Sequence, residues 1–322
     1  MTGVRFVFSV EDLARTRFAV SPVWELVHAL LALRDPSAAA LHVPWLRSLS
    51  GRLDGLALDR VIALLPLQGY SPDFLTPPPS GPVGDLADDL AALRRTPVRQ
   101  IRHDIALFLT QSPRTPVTDA WLEHPRREVH RLADSLEGFW ERALAPVWPR
   151  VRAFLDADIA HRARRLAGAG PAALFAGLHP DVAWREGRLD VVVARHTAEI
   201  TLHGDGLLLM PSAFSVRPAV IDQPPWQNTL VYPARGVATL WDEGGRAPEG
   251  LARLLGATRA AVLADVGAPR STTEVAARLA ISPAGASHHL TALRGAGLVA
   301  ARRDGRAVLY VRTPLGEQLA GG

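Results

Sequence analysis

The feature that most constrains this 322-residue chain is a run of helix start signals near its C-terminal end. Ser271 is followed three residues later by Glu274, which is the spacing of a capping box. Ser282 and Pro283 give a second signal, a cap residue followed by proline at the first helical position. The sequence therefore predicts two short helices, separated by a tight turn at Ala280 and Ile281.

The second of these helices is predicted to run from Pro283 to about Gly295. Its apolar residues Ala286, Leu290 and Leu293 fall on one face of a helical wheel, so this face should pack inward. Small and hydrogen-bonding side chains occupy the opposite face, and they suit close entry into a major groove. This outward face consists of Ala284, Ser287, His288 and Thr291.

After this helix the pattern becomes extended, with two strand-like segments joined by Asp304 and Gly305, a strong signal for a two-residue hairpin. Arginines cluster near the hairpin tip, where they could contact phosphate or enter a minor groove. We therefore predict a winged helix-turn-helix over residues 248–322 that binds double-stranded DNA. The predicted contact residues are Ser282, Ala284, Gly285, Ser287, His288, Thr291, Arg294, Arg302, Arg303 and Arg306.

The positive charge of the chain is concentrated in the same region. From Gly250 to the end there are nine arginines and four acidic residues, a net charge of +5, whereas the whole chain carries +4. Residues 1–249 are therefore close to neutral, at about −1. This asymmetry indicates that the C-terminal region alone meets a polyanion.

The remainder of the chain predicts an α+β fold. Residues 1–170 have mostly helical patterns, the clearest being the helix that begins with the cap Ser21 and Pro22. Residues 171–247 change to short extended segments punctuated by glycine and proline, which predict a small antiparallel β-sheet packed with the helical region, including a hairpin turn at 203–206. A linker is expected at 242–250. Further predicted helices are 54–65, 83–94, 98–109, 129–144 and 147–166, and predicted strands are 189–194, 198–202, 207–210 and 229–232.

Several classes of function are disfavoured by composition and by the motifs that are missing. The chain has no cysteine, which excludes disulfides and thiolate metal sites. Its first residues lack a signal-peptide pattern, and no apolar run approaches a membrane span, so a cytoplasmic protein without a membrane partner is expected. No nucleophile elbow, metalloprotease motif or nucleotide-binding loop is present, so neither an enzyme nor a cofactor is predicted.

Histidines give two weaker signals. His288 and His289 are adjacent, but neighbouring helical residues point about 100° apart, so a shared metal ion is not predicted. The pairs His103 with Asp104, and His130 with Asp134, have acid/base character but are expected to be helix-surface hydrogen bonds.

The segment ISPAGASHHLTALRGAGLVAARRDGRAVLYVRT, residues 281–313, resembles the core of the ArsR family of winged-helix repressors. The full length is similar to long bacterial regulators of this type whose N-terminal part has no assigned activity. The resemblance implies a homodimeric repressor. Metal-sensing members use a Cys-x-Cys-type site or ligands on the last helix, and both are missing here. The predicted last helix is short, so pairing through the N-terminal part is an alternative to the family's usual pairing of first and last helices.

We therefore predict a transcriptional regulator, a homodimer that acts as a repressor and responds to a non-thiolate signal through its N-terminal region. The effector could be a small molecule or a protein. A winged-helix module that binds another protein, and an enzyme fused to a regulatory domain, are the alternatives. Aromatic residues that could line an effector pocket, or could equally be core packing, are Trp24, Trp45, Tyr70, Phe74, Trp140, Trp226 and Trp241.

Overall fold

The computed structural model describes residues 3–79, 81–241, 249–267, 269–304 and 307–320. The chain divides into two compact units, Met1–Ala238 and Thr239–Gly322. Helices and small sheets make up the first unit, and the second contains the helix-turn-helix. The predicted α+β class is confirmed, while the three-region division at 170 and 247 stays a prediction.

Helices dominate the first part of the first unit. The helix α2 begins as predicted, because the Ser21 side chain accepts from the backbone N–H of Trp24 and Pro22 occupies the first turn. Within the described residues the helices of this unit are α1 (Val10–Arg15), α2 (Pro22–Ala32), α3 (Pro36–Leu41), α4 (Val43–Ser48), α5 (Asp59–Ile62), α6 (Leu86–Arg95), α7 (Val98–Leu109), α8 (Pro116–Glu123), α9 (Pro125–Phe139) and α10 (Trp148–Phe175).

The predicted helix 98–109 has the observed bounds, whereas α6 begins at 86 instead of 83 and α9 begins at 125 instead of 129 and continues as a π-helix over 140–144. Two further helices differ more. The segment predicted as a helix over 54–65 contains only the single turn α5. Helix α10 continues past the predicted end at 166, with a kink at Gly170, where φ is +74°. Pro171 follows this glycine, and proline both lacks an N–H and disfavours helical backbone in the residue before it, which accounts for the kink.

Two four-stranded sheets complete the first unit, with strand orders β3-β4-β1-β5 and β2-β6-β8-β7. The prediction of antiparallel pairing is wrong in part, since β1 pairs parallel with β5, β2 with β6 and β6 with β8. Two of these parallel pairs involve the N-terminal strands β1 and β2, and the third joins β6 to β8 within the region predicted as antiparallel. The strands are β1 (Gly3–Val7), β2 (Arg17–Phe18), β3 (Val182–Arg185), β4 (Arg188–Val191), β5 (Thr197–Thr201), β6 (Leu208–Ser212), β7 (Ala219–Ile221) and β8 (Thr229–Pro233).

The segment 203–206 does not form the predicted hairpin, because β5 and β6 belong to different sheets. The chain instead crosses from one sheet to the other. The buried Asp12 carboxylate holds this crossing by accepting from the backbone N–H groups of Gly204, at 2.7 Å, and Gly206, at 3.2 Å. Both glycines have positive φ, a conformation that glycine adopts without steric cost.

The second unit contains the predicted winged helix-turn-helix. Gly256, with φ of +82°, separates its first two helices. A third strand, β9, which the sequence did not predict, pairs with β11 beside the hairpin. Residues 242–248 of the predicted linker lie outside the described residues. The elements are α11 (Glu249–Leu255), α12 (Ala257–Asp265), β9 (Arg270–Ser271), α13 (Thr272–Arg278), α14 (Pro283–Gly295), β10 (Val299–Asp304), β11 (Ala307–Arg312) and α15 (Pro314–Ala320).

Candidate nucleic-acid interface

Local capping sets the angle between the two helices of the motif. Ser271 and Glu274 form the complete capping box at the start of α13, and the Ser282 hydroxyl caps α14 by accepting from the N–H of Gly285 at 3.0 Å. Between the helices Ala280 adopts a left-handed conformation, with φ of +51°, and Ile281 donates its N–H to the carbonyl of Ala276. The chain thus turns within the four residues that separate α13 from α14.

Helix α14 presents the outward face that the sequence predicted. Ala286, Leu290 and Leu293 are buried in the core of the second unit, together with residues of α12, α13 and β10. The residues predicted to meet DNA lie on the other side, where the side chains of Ala284, Ser287, His288, Thr291 and Arg294 are exposed, as is that of Ser282. Gly285 is half-buried and its N–H is already donated to Ser282. It can therefore allow close approach but has no free amide for a phosphate.

The hairpin after α14 carries two of the predicted arginines on opposite faces. In the antiparallel pair of β10 and β11, Arg302 lies opposite Leu309 and Arg303 opposite Val308. Successive side chains of a strand point to opposite faces, so Arg303 shares the face of the buried Val299 and Arg302 lies on the other. Gly305 of the predicted turn and Arg306, the third predicted arginine, lie outside the described residues.

The arginines of the second unit fall into two electrostatic groups. Asp265 holds two of them, with its carboxylate oxygens 2.7 Å from Nε of Arg278 and 3.4 Å from Nε of Arg270. Arg294, Arg302 and Arg303 are exposed and form no ion pair within the part of the chain that the structure describes. Among the described side chains nothing compensates their charge, which is therefore available to a phosphate backbone.

His289 lies at the border between the two faces of α14 and is half-buried. Burial, followed by the nearby positive charges of His288 and Arg259, lowers the pKa of its imidazole. The rings of His288 and His289 meet edge to face, with centroids 5.5 Å apart. Among the described residues no three histidine or acidic side chains are grouped as metal ligands would be.

The predicted acid/base pairs do not form in the first unit. Asp104 is fully buried rather than at the helix surface, and its carboxylate accepts from the N–H of Phe74 at 2.9 Å and from Gln100 at 2.8 Å. Asp134 forms an ion pair with Arg94 instead of a bond with His130. Asp104 is therefore a buried structural acid, and Asp134 belongs to a surface ion pair.

Only some of the aromatic residues considered for a pocket line one. Trp24 and Tyr70 face a large cavity in the first unit, whereas Trp45 and Phe74 are buried core residues. Sequence reasoning missed the polar residues of this cavity, above all Asp73 and the pair His196 and Asp222. These residues come from distant segments, and no local spacing connects them.

Comparisons with known proteins agree with the division into two units. Residues 254–302 match the model of a helix-turn-helix domain, and residues 103–238 match a family of unknown function, DUF5937. No curated protein and no solved structure matches the chain. Within the described residues no helix is both long enough and apolar enough to cross a membrane. The matched domain contains α12, α13 and α14 with their exposed basic face, so the chain is a DNA-binding protein of the transcriptional-regulator type.

Proposed function

We propose that this protein is a sequence-specific repressor of the ArsR type that binds double-stranded DNA as a homodimer. The observation that carries the proposal is the outward face of α14, where small and hydrogen-bonding side chains lie beside an arginine that has no ion pair among the described residues. Small residues allow the helix to enter the major groove, and Ser287, His288 and Thr291 are placed to meet base edges. Arg294, Arg302 and Arg303 supply contacts to the backbone.

Exposed leucines on the first and last helices of the second unit support the homodimer. Leu254 on α11 is 71% exposed, and Leu315 and Leu319 on α15 are 50% and 36% exposed. Exposed apolar side chains mark an interface where they form a patch, and these three lie on the two helices through which the resembled family pairs. They favour pairing through these helices over pairing through the N-terminal part. Two copies of α14 would then enter successive major grooves about one helical turn, roughly 34–36 Å, apart.

Selection from a pool of random-sequence duplexes tests the proposal and identifies the operator sequence in the same experiment. We expect enrichment of an imperfect palindrome whose half-sites are about 10–10.5 base pairs apart, centre to centre. Enrichment without a shared sequence would refute specific recognition. Absence of any salt-sensitive binding would favour the alternative, a winged-helix module that binds another protein.

Variants of α14 test which side chains carry the specificity. Ser287→Ala and Thr291→Ala should each relax preference at one position of the selected half-site, at a cost of about 1–3 kcal/mol if the contact is to a base edge. Glu123→Gln on α8 provides a control substitution at an exposed residue of the first unit, outside the proposed contact set and the proposed dimer helices. Unchanged preference in both alanine variants would remove these residues from the contact set.

Repression can be measured separately from binding. In a transcription reaction with purified polymerase and the native promoter fragment, the protein should lower transcript yield in proportion to occupancy of the selected site. A rise in yield at the same occupancy would show that the protein is an activator.

A further inference from the structure

The first unit contains a cavity of about 780 Å³. Its walls come from α2, from the segments 65–76 and 192–196, and from the segment 214–223 that includes β7. This volume lies within the range of about 300–1,000 Å³ typical of sites for small molecules. The size and the mixed lining suit a ligand of drug-like dimensions.

Aromatic rings form one part of the cavity lining. Trp24, Tyr70 and Phe214 all contribute to it, and Trp24 stacks on His28 with ring centroids 4.8 Å apart. The faces of such rings attract cations, tryptophan most strongly. Trp24 is only 5% exposed, so its ring is held in the packed wall of the cavity.

A buried carboxylate forms the second part. Asp73 lines the cavity, is only 8% exposed and shares a hydrogen bond with the Tyr70 hydroxyl, but no arginine or histidine pairs with it in the described part of the chain. Burial raises the pKa of its carboxyl well above the ordinary value, and the negative charges of Asp104 and Asp222 raise it further. A cation placed beside Asp73 would stabilise the ionised carboxylate, and so would offset both its burial and its repulsion by Asp104 and Asp222.

The remaining charged groups of the lining favour a cation over an anion. Asp222 is already occupied by His196, whose Nε2 lies 2.6 Å from its carboxylate. Aspartates also line the cavity at positions 35 and 181, whereas Arg217 is the one arginine of the described lining and is exposed to solvent. An anionic ligand would therefore meet mostly like charge.

We propose that this cavity binds a small organic cation, an amine with an aromatic or branched apolar body. Its ammonium group contacts Asp73, and its body packs against Trp24, Tyr70 and Phe214. The further role of this amine as the signal that alters DNA binding rests on the proposed function, whereas the binding itself does not.

Calorimetric titration of the full chain with matched probes tests the charge preference. The probes are 2-phenylethylamine, 2-phenylethanol and phenylacetate, and the corresponding naphthyl amine, alcohol and acid, which share a body and differ in the charge of one group. We expect each amine to bind at least about tenfold more tightly than the alcohol and the acid that share its aromatic body, because a charge-assisted hydrogen bond contributes about this much. Equal or tighter binding of the alcohols or acids, or no binding of either amine at millimolar concentration, overturns the proposal.

Variants locate the site. Asp73→Asn keeps the shape of the side chain and removes its charge, so it should weaken amine binding about tenfold or more. Asp156→Asn is the matched control, since Asp156 lies on α10, pairs with Arg152 and does not line the cavity. Trp24→Phe, a second variant that retains a packed ring, should weaken the amine several-fold through loss of the indole. Unchanged amine affinity in folded Asp73→Asn would refute the assignment of the site.

A gel-shift titration on the selected duplex, with and without the tighter-binding amine, separates the two proposals. A change in DNA affinity that is lost in Asp73→Asn supports the amine as effector. Unchanged DNA affinity with calorimetric binding refutes the effector role but leaves the cavity assignment intact. Calorimetric binding in a protein that binds no DNA would count against the proposed function alone.

Discussion

Replacement of the exposed arginines of the second unit should change the salt dependence of DNA binding by a calculable amount. Each arginine–phosphate contact contributes about 0.9 to the slope of log affinity against log salt concentration. In the proposed homodimer a substitution removes two contacts, so Arg294→Ala, Arg302→Ala and Arg303→Ala should each reduce the slope by about 1.8. Over a fourfold rise in salt, the wild-type affinity should then fall about twelvefold more than that of each variant.

The two hairpin arginines make this prediction sharper. Arg302 and Arg303 lie on opposite faces of the β10–β11 ribbon. A ribbon that lies in the minor groove faces a phosphate backbone on each side, so both substitutions should lower the slope by the same amount. Fluorescence anisotropy with a labelled selected duplex, between about 50 and 200 mM salt, measures these slopes.

The control for net charge is Arg152→Ala. Arg152 is paired with Asp156 on α10, so this substitution removes one positive charge from each chain without removing one of the exposed arginines of the second unit. It should leave the slope unchanged. If only one of the hairpin variants lowers the slope, the ribbon lies flat on the duplex. If neither does, the hairpin does not contact DNA and the reasoning from the uncompensated arginines is wrong.

Further predictions concern stability. Leu290 is fully buried in the core of the second unit, so Leu290→Ala should destabilise that unit by about 2–5 kcal/mol in urea unfolding; a loss below about 1 kcal/mol would contradict its place in the core. Ala280→Gly should stabilise the same unit by roughly 0.5–1 kcal/mol. The left-handed backbone costs alanine about 1–2 kcal/mol, and the larger conformational entropy that glycine loses on folding offsets part of the gain. A lower melting temperature of the variant would refute the assigned conformation. Burial raises the pKa of Glu25 from 4.5 to about 7, so the folded state retains a proton that the unfolded chain releases. Stability should therefore fall by roughly 3 kcal/mol as pH rises from about 4.5 to 7 and level off above that, and Glu25→Gln should remove this part of the slope; an unchanged pH profile in the variant would refute the assignment.

The helix-turn-helix could be predicted because its determinants are local. A capping box joins residues three positions apart, as Ser271 and Glu274 show, and the buried face of α14 repeats with the helical period. The exposed contact face follows from the same period. The charge asymmetry depends only on the composition of each region, so the basic character of the C-terminal unit could also be predicted.

The sheets of the first unit could not be predicted in the same way. Strand β1 lies between β4 and β5, with Val4 opposite Val191 on one side and Ala198 on the other. Neither partner is marked by any pattern near residue 4. The segment 203–206 has the residues of a hairpin turn, but the carboxylate of Asp12 directs it from one sheet to the other.

The sequence by itself determined the capped helices, the hairpin beside them and the concentration of arginine that points to DNA, because these depend on neighbours within a few residues. Tertiary structure alone decided which arginines are compensated, as Arg278 is by Asp265, and which segments enclose the cavity. Asp73 and Trp24 line the same cavity because helices and sheets from distant parts of the chain pack together. Burial and charge then act on groups that have no relation in sequence.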